Sequence, residues 1–128
     1  MEKFGFYRDE LSSKVKVVSM NKRMGLDLSL MWRMMRLIRA EKPDVVHTHL
    51  NGVVYTVLSA AINRRVVHCH TVHTTADKEA GSSFVCRGVR RLLFKTRLST
   101  PITISEESQR SFLDYYGIDA PLIDNGRN

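Results

Sequence analysis

Cysteine is scarce in this chain: Cys69 and Cys86 are the only two, they form no C-x-x-C arrangement, and they exclude a disulfide framework as the organising device. Reduced thiols, and with them a cytoplasmic setting, are the expectation. Met1 to Glu10 lacks the apolar core of a secretory leader. The longest nearly apolar stretch, Gly52 to Ile62, falls far short of the roughly 20 residues that a spanning helix requires, so no membrane-crossing segment is expected. There is no G-x-G-x-x-G run and no Walker-type loop, which argues against tight nucleotide binding by this chain alone. Ser12-Ser13 and Ser82-Ser83 stand outside any nucleophile elbow, which removes support for serine-nucleophile chemistry. Aromatic residues are few and scattered and no zinc finger is present, so nucleic-acid binding is not expected despite a net charge of +7. That charge favours an anionic partner without choosing one.

What the sequence does contain is the composition of an ordinary globular domain. Its 128 residues are 43% hydrophobic and 26% charged, enough for a single core without metals or disulfides. Met1 to Ser13 is read as a frayed helix and Lys14 to Met20, with its β-branched run, as a strand. From Asp27 onward Leu30, Met31, Met34, Met35, Leu37 and Ile38 recur at helical spacing, with Arg33, Arg36 and Arg39 on the other face. Asp27 or Ser29 caps this helix and Pro43 prevents its continuation.

A βαβ unit follows: a strand at Asp44 to Leu50, a helix from Gly52 to Asn63, and a strand at Arg65 to His70. A loop with Thr71, Thr74, Thr75 and Gly81 leads to a basic amphipathic helix over Ser83 to Arg97, then a strand at Pro101 to Ile104. Ser105 caps a final helix that carries Glu106 and Glu107 in its first turn, and Gly117 ends it. Pro121 to Asp124 is read as a last short strand. This alternation predicts an α/β fold, a Rossmann-like three-layer sandwich with a mostly parallel sheet covered on both faces. Ligands of such sheets bind at the carboxyl ends of the strands, here after His49, His70 and Ile104.

All five histidines, His47, His49, His68, His70 and His73, fall within one short window covering two neighbouring strands and the loop after the second. Strand alternation puts His47 with His49 on one face, and His68 with His70 on one face. His47 and His68, deeper in their strands, are read as half-buried residues bonded to backbone. The H-x-H pairs also admit a metal reading, as in zinc-dependent amidohydrolases, but no later histidine or strand-end aspartate completes a ligand set, and no metal is expected. A third reading has His49 and His73 hydrogen-bonding a polar ligand such as a sugar, since neutral imidazole both donates and accepts.

Four segments resemble, in order and spacing, the N-terminal domain of family-four glycosyltransferases: KPDVVHTHLNG (Lys42 to Gly52), VVHCHTVHT (Val66 to Thr74), ITISEES (Ile102 to Ser108) and LIDNG (Leu122 to Gly126). The resemblance implies one half of a GT-B fold, with residues 1–128 forming a single acceptor-side domain. It implies a retaining transfer of sugar from a nucleotide-sugar donor to an acceptor hydroxyl, in surface-glycan or polysaccharide biosynthesis. It places His73 in the cleft as the catalytic residue, with Ser105 and Glu106 facing the same cleft, and His49, Asn51, Gly52 and Thr74 are taken with these two as substrate-binding residues. Asn125-Gly126 matches the tract before an interdomain hinge.

The family's opening strand with its Gly-rich loop and its donor-binding domain have no counterpart in this sequence, so the chain alone is expected to be inactive. No cofactor is expected beyond the nucleotide-sugar substrate. The acceptor is a glycan or lipid-linked sugar. Arg87, Arg90, Arg91 and Lys95, opposite Val89, Leu92, Leu93 and Phe94, are either a solvated face or a contact with anionic lipid at the inner face of the membrane. A stand-alone binding module or inactive remnant is the alternative reading.

Overall fold

The computed structural model describes residues 10–126. The first regular element is helix α1, Leu28–Glu41, and its apolar stripe is the predicted one: Leu30, Met31, Met35 and Ile38 are buried. Asp27 is the N-cap, its Oδ1 accepting from the Leu30 amide at 3.2 Å and from the Ser29 hydroxyl at 2.6 Å. The Ser29 hydroxyl above all, then the Arg23 amide, outweigh the cost of burial and hold the Asp27 carboxyl at about 2. Lys42 closes the helix in the left-handed conformation, φ 48°, before Pro43.

Three parallel strands follow in the order β1-β2-β3: β1 is Val45–His49, β2 is Val67–Val72 and β3 is Thr100–Thr103. The register sets Val46 opposite His68 and Thr48 opposite His70. Between β1 and β2 the expected single helix is two, α2 (Gly52–Tyr55) and α3 (Val57–Ile62). The break is at Thr56, whose hydroxyl donates back to the Val53 carbonyl at 2.9 Å and competes with the helical ladder. After β2 comes a short helix absent from the sequence reading, α4 (Ala76–Ala80), then α5 (Phe84–Lys95) and α6 (Glu106–Tyr116). Ser105 and Gly117 are the caps of α6, the glycine at φ 67°.

The core lies between the helices and the sheet face that carries Thr48, His68, His70 and Val72, all buried. At its centre Phe94 meets Phe112 and Tyr116 edge-on, with ring centroids 5.2 and 5.3 Å apart. Burial raises the Tyr116 phenol to about 12. The parallel α/β architecture agrees with the Rossmann-like reading, but cover on both faces is not seen among the described residues. The second face shows His47 and His49 exposed, with Val45 and Val67 55% and 57% exposed.

Two predicted strands are corrected. Lys14 to Met20 is not a strand: none of the three described strands pairs with it, and a β-branched run without a ladder partner has little to hold it extended in a sheet. Pro121 to Asp124 contributes a single bridge, Thr103 to Leu122, in which the Thr103 amide donates to Pro121 O at 2.9 Å. The helix read over Met1 to Ser13 falls mostly outside the described residues, and Glu10 to Ser13 is not α-helical.

Candidate functional site

Strand parity sorts the histidines into two sets. His68 and His70 point into the helix layer, whereas His47 and His49 point to the open face. The two H-x-H pairs lie on opposite sides of the sheet, so they do not converge on a shared ion. Among the described residues no three His, Cys, Asp or Glu side chains are grouped to hold a metal ion.

His68 is a core residue, but it is buried rather than half-buried and its ring meets a side chain instead of backbone, with Nε2 3.4 Å from Ser59 Oγ and burial pushing its pKa down. His47 does not: it is exposed, bonded through Nε2 to Thr71 Oγ1 at 2.7 Å, and its ring lies 4.5 Å from that of His49. Cys69 is half-buried and burial raises its thiol, which suits a packing residue rather than a nucleophile.

The turns after β1 and β2 bring His49 and His73 together, Nδ1 of the first 2.8 Å from Nε2 of the second. Burial foremost, and then the neighbouring imidazoles of His47, His73 and His70, hold His49 below the ordinary histidine range against a weaker opposing pull from Glu79. With both rings neutral, one proton lies between the facing nitrogens, and the tautomer of one ring then dictates that of the other. If His73 Nε2 accepts, its Nδ1 carries a hydrogen and donates outward; if Nε2 donates, Nδ1 accepts.

His73, Thr74 and Ser105 line one hollow of about 210 Å³, together with Thr75, Lys78 and Glu107. A broader groove of about 740 Å³ adjoins it through Thr75 and Glu107 and runs along α6 past Glu106, Arg110 and Asp114. Ser105 serves first as a cap, its Oγ accepting from the Ser108 amide at 3.1 Å. Thr74 Oγ1 donates to Thr75 O at 3.3 Å. Glu106 faces the larger groove rather than the hollow of His73. Asn51 and Gly52 stand on the β1 side: Asn51 Oδ1 accepts from Arg90, and Gly52 opens α2 against Thr48, where an added Cβ would meet Thr48 Cβ at 3.7 Å.

Sequence reasoning missed the buried polar cluster beneath these turns. Arg90, expected on the basic face, is 1% exposed and points inward, because it shares the i, i+3, i+4 stripe of Leu93 and Phe94. Its guanidinium donates to Glu79 Oε1 (3.2 Å), Leu50 O (2.9 Å) and Asn51 Oδ1 (3.0 Å). Leu92, placed inward, is 52% exposed instead. Glu79 Oε1 also accepts from His70 Nε2 at 2.5 Å, and Oε2 accepts from the His73 amide at 2.9 Å. Burial pushes the Glu79 carboxyl up, but the His70 hydrogen bond and charge, the His73 amide and Arg90 together bring it below the ordinary glutamate range. The stripe shared by Arg90, Leu93 and Phe94 was the available signal for its burial.

The outward face of α5 therefore carries Arg87, Arg91 and Lys95 together with three exposed apolar residues, Phe84 (83% exposed), Val85 and Leu92. Among the described residues no helix is long and apolar enough to cross a membrane.

Residues 4–128 match the family model described as Glycosyltransferase Family 4. No curated protein and no solved structure matches the chain.

Proposed function

We propose, proceeding from the fact that the chain belongs to glycosyltransferase family 4, that the His49–His73 edge is the acceptor-side wall of a sugar-transfer site. The observation that carries this reading is the pair itself: two imidazoles from the carboxyl ends of adjacent parallel strands, 2.8 Å apart, beside a polar hollow. Strand ends are where α/β sheets take their ligands, and the imidazole pair leaves one nitrogen free on each ring, His49 Nε2 and His73 Nδ1, whose donor or acceptor character is fixed by the shared contact.

In the proposed reaction the bond from the anomeric carbon to the leaving diphosphate oxygen is exchanged for one to the acceptor oxygen with configuration retained. The acceptor hydroxyl gives its proton to the departing diphosphate oxygen, which leaves with the bonding pair. His73 hydrogen-bonds the transferred sugar or the acceptor as this happens. Thr74, Ser105 and Glu106 supply further hydroxyl and carboxylate partners for sugar hydroxyls, and Asn51 and Gly52 border the site on the β1 side. The donor is a nucleotide-sugar, and most of the stabilisation of its diphosphate comes from groups outside residues 1–128. No metal or organic cofactor enters the proposal.

The acceptor is a glycan or lipid-linked sugar in surface-glycan assembly on the cytoplasmic side of a membrane. What favours the lipid-linked form is the outer face of α5, where Phe84, Val85 and Leu92 sit among Arg87, Arg91 and Lys95, a pairing of apolar and cationic groups suited to an anionic lipid surface. Arg90 takes no part in that contact.

The test is transfer of labelled sugar from a panel of nucleotide-sugars by the protein as its own cells make it, compared with the same protein carrying His73→Ala. A fall of 10²-fold or so in kcat, the usual reach of one positioned hydrogen-bonding or proton-relaying group, is expected. Unchanged kcat removes His73 from the site.

A further inference from the structure

The buried cluster of Glu79, Arg90 and His70 has no expected contact with a sugar, and it is costly. Two ionised side chains, 6% and 1% exposed, are withdrawn from water, and buried pairs of this kind add little net stability over apolar residues of the same volume. Such a cluster is better explained by what it holds in place. It holds two turns. Glu79 Oε2 takes the amide of His73, and the guanidinium that grips Glu79 Oε1 also takes the carbonyl of Leu50, the residue directly after His49. Leu50 sits at φ 52°, a left-handed conformation disfavoured for a branched apolar side chain, so the turn after β1 needs an external restraint to stay as it is. Arg90 supplies it through the Leu50 carbonyl and the Asn51 side chain.

We propose that Glu79 is a positioning residue that, through Arg90 and the His73 amide, fixes the turn after β1 against the turn after β2 and so sets the His49–His73 ring contact. His70 completes the restraint from the sheet. Its Nδ1 meets Thr48 Oγ1 at 2.9 Å and its Nε2 meets Glu79, so the carboxylate is anchored to the core strands as well as to α5. The functional meaning of the inference rests on the reading of the His49–His73 edge as the transfer site; its structural content does not.

The test uses the whole chain labelled with ¹⁵N at histidine. Two-bond imidazole spectra distinguish a ring locked in one tautomer from one that exchanges freely. The native chain is expected to show His49 and His73 locked. Glu79→Gln, which removes the charge that binds Arg90, is expected to lose the lock at both rings. Phe112→Leu, which weakens the core away from the cluster, is expected to keep it. Should Glu79→Gln fail to fold, Arg90→Lys is read in its place, since one ammonium cannot span Glu79, Leu50 and Asn51 in a fixed fork. Rings that stay locked in the Glu79 or Arg90 variant, or are unlocked in the native chain, overturn the proposal. Transfer assays separate the two ideas: a lock lost in Glu79→Gln while His73→Ala leaves transfer unchanged keeps the positioning role and discards the transfer site.

Discussion

Replacing Arg90 by Met keeps the length and packing of the side chain and removes its charge and its donors, which makes the buried cluster measurable as stability. Three hydrogen bonds are lost, to Leu50 O, Asn51 Oδ1 and Glu79 Oε1, and Glu79 stays buried with its charge. Removing one partner of a buried pair costs about 3–5 kcal/mol. The lower end, about 3 kcal/mol, applies here, since Glu79 retains the His70 ring and the His73 amide. A small domain has about 5–15 kcal/mol in all and a urea slope of roughly 1–3 kcal/mol per molar, so the midpoint should fall by roughly 1–3 M. The assay is urea unfolding followed by far-ultraviolet circular dichroism, with Arg87→Met as the companion. Arg87 is exposed on the same helix, and its replacement should change stability by no more than about 0.5 kcal/mol. Equal midpoints for the two variants would refute the inward placement of Arg90 and the cost assigned to it.

Acid stability should carry the signature of Glu79. Its folded pKa is depressed, so its contribution is fully present above the unfolded glutamate value of about 4.3 and is lost as pH falls from there through the folded value. Glu79→Gln should flatten that part of the pH profile of the urea midpoint; a profile as steep as that of the native chain contradicts the assignment. Co-sedimentation with vesicles rich in anionic lipid should retain the chain at low salt and release it at high salt, with Phe84→Ser and Arg87→Ala each weakening retention. Equal retention on purely zwitterionic vesicles, or no effect of either substitution, dismisses α5 as a lipid contact.

The parts of this fold that could be read from the sequence are those where periodicity and end chemistry agree. Helix α1 has its apolar stripe, its Asp27 cap and its Pro43 stop; α6 has Ser105 and Gly117 at its ends; β1 and β2 have β-branched runs of strand length. The parts that escaped depend on tertiary neighbours. Lys14 to Met20 has strand composition and no pairing partner among the described strands. Thr56 divides a continuous apolar run through one hydroxyl. Helix α4 spans only Ala76–Ala80, too short for any period, and yet it carries Glu79. On α5 the rule that cations face water put Arg90 outside and Leu92 inside, and the buried carboxylate of Glu79 reverses both. At the site itself, period two correctly paired His47 with His49 and His68 with His70, but which pair faced the helices was decided by the packing of α3 and α5. His73 and His49 were legible as a pair at neighbouring strand ends; the restraint beneath them was not.

Because β2 and β1 are in strict register and every side chain alternates, the length of the segment from Val67 to His73 is a fixed quantity of this protein. Deleting or inserting one residue between Val67 and His70 would turn His70 away from Glu79, bring Cys69 or Thr71 to face Phe94, and move His73 off His49, all in a single event. Substitutions can be absorbed one side chain at a time, but a change of length strikes the core and the site together. Engineered insertions therefore belong beyond this segment, near Ser82, where the chain is exposed.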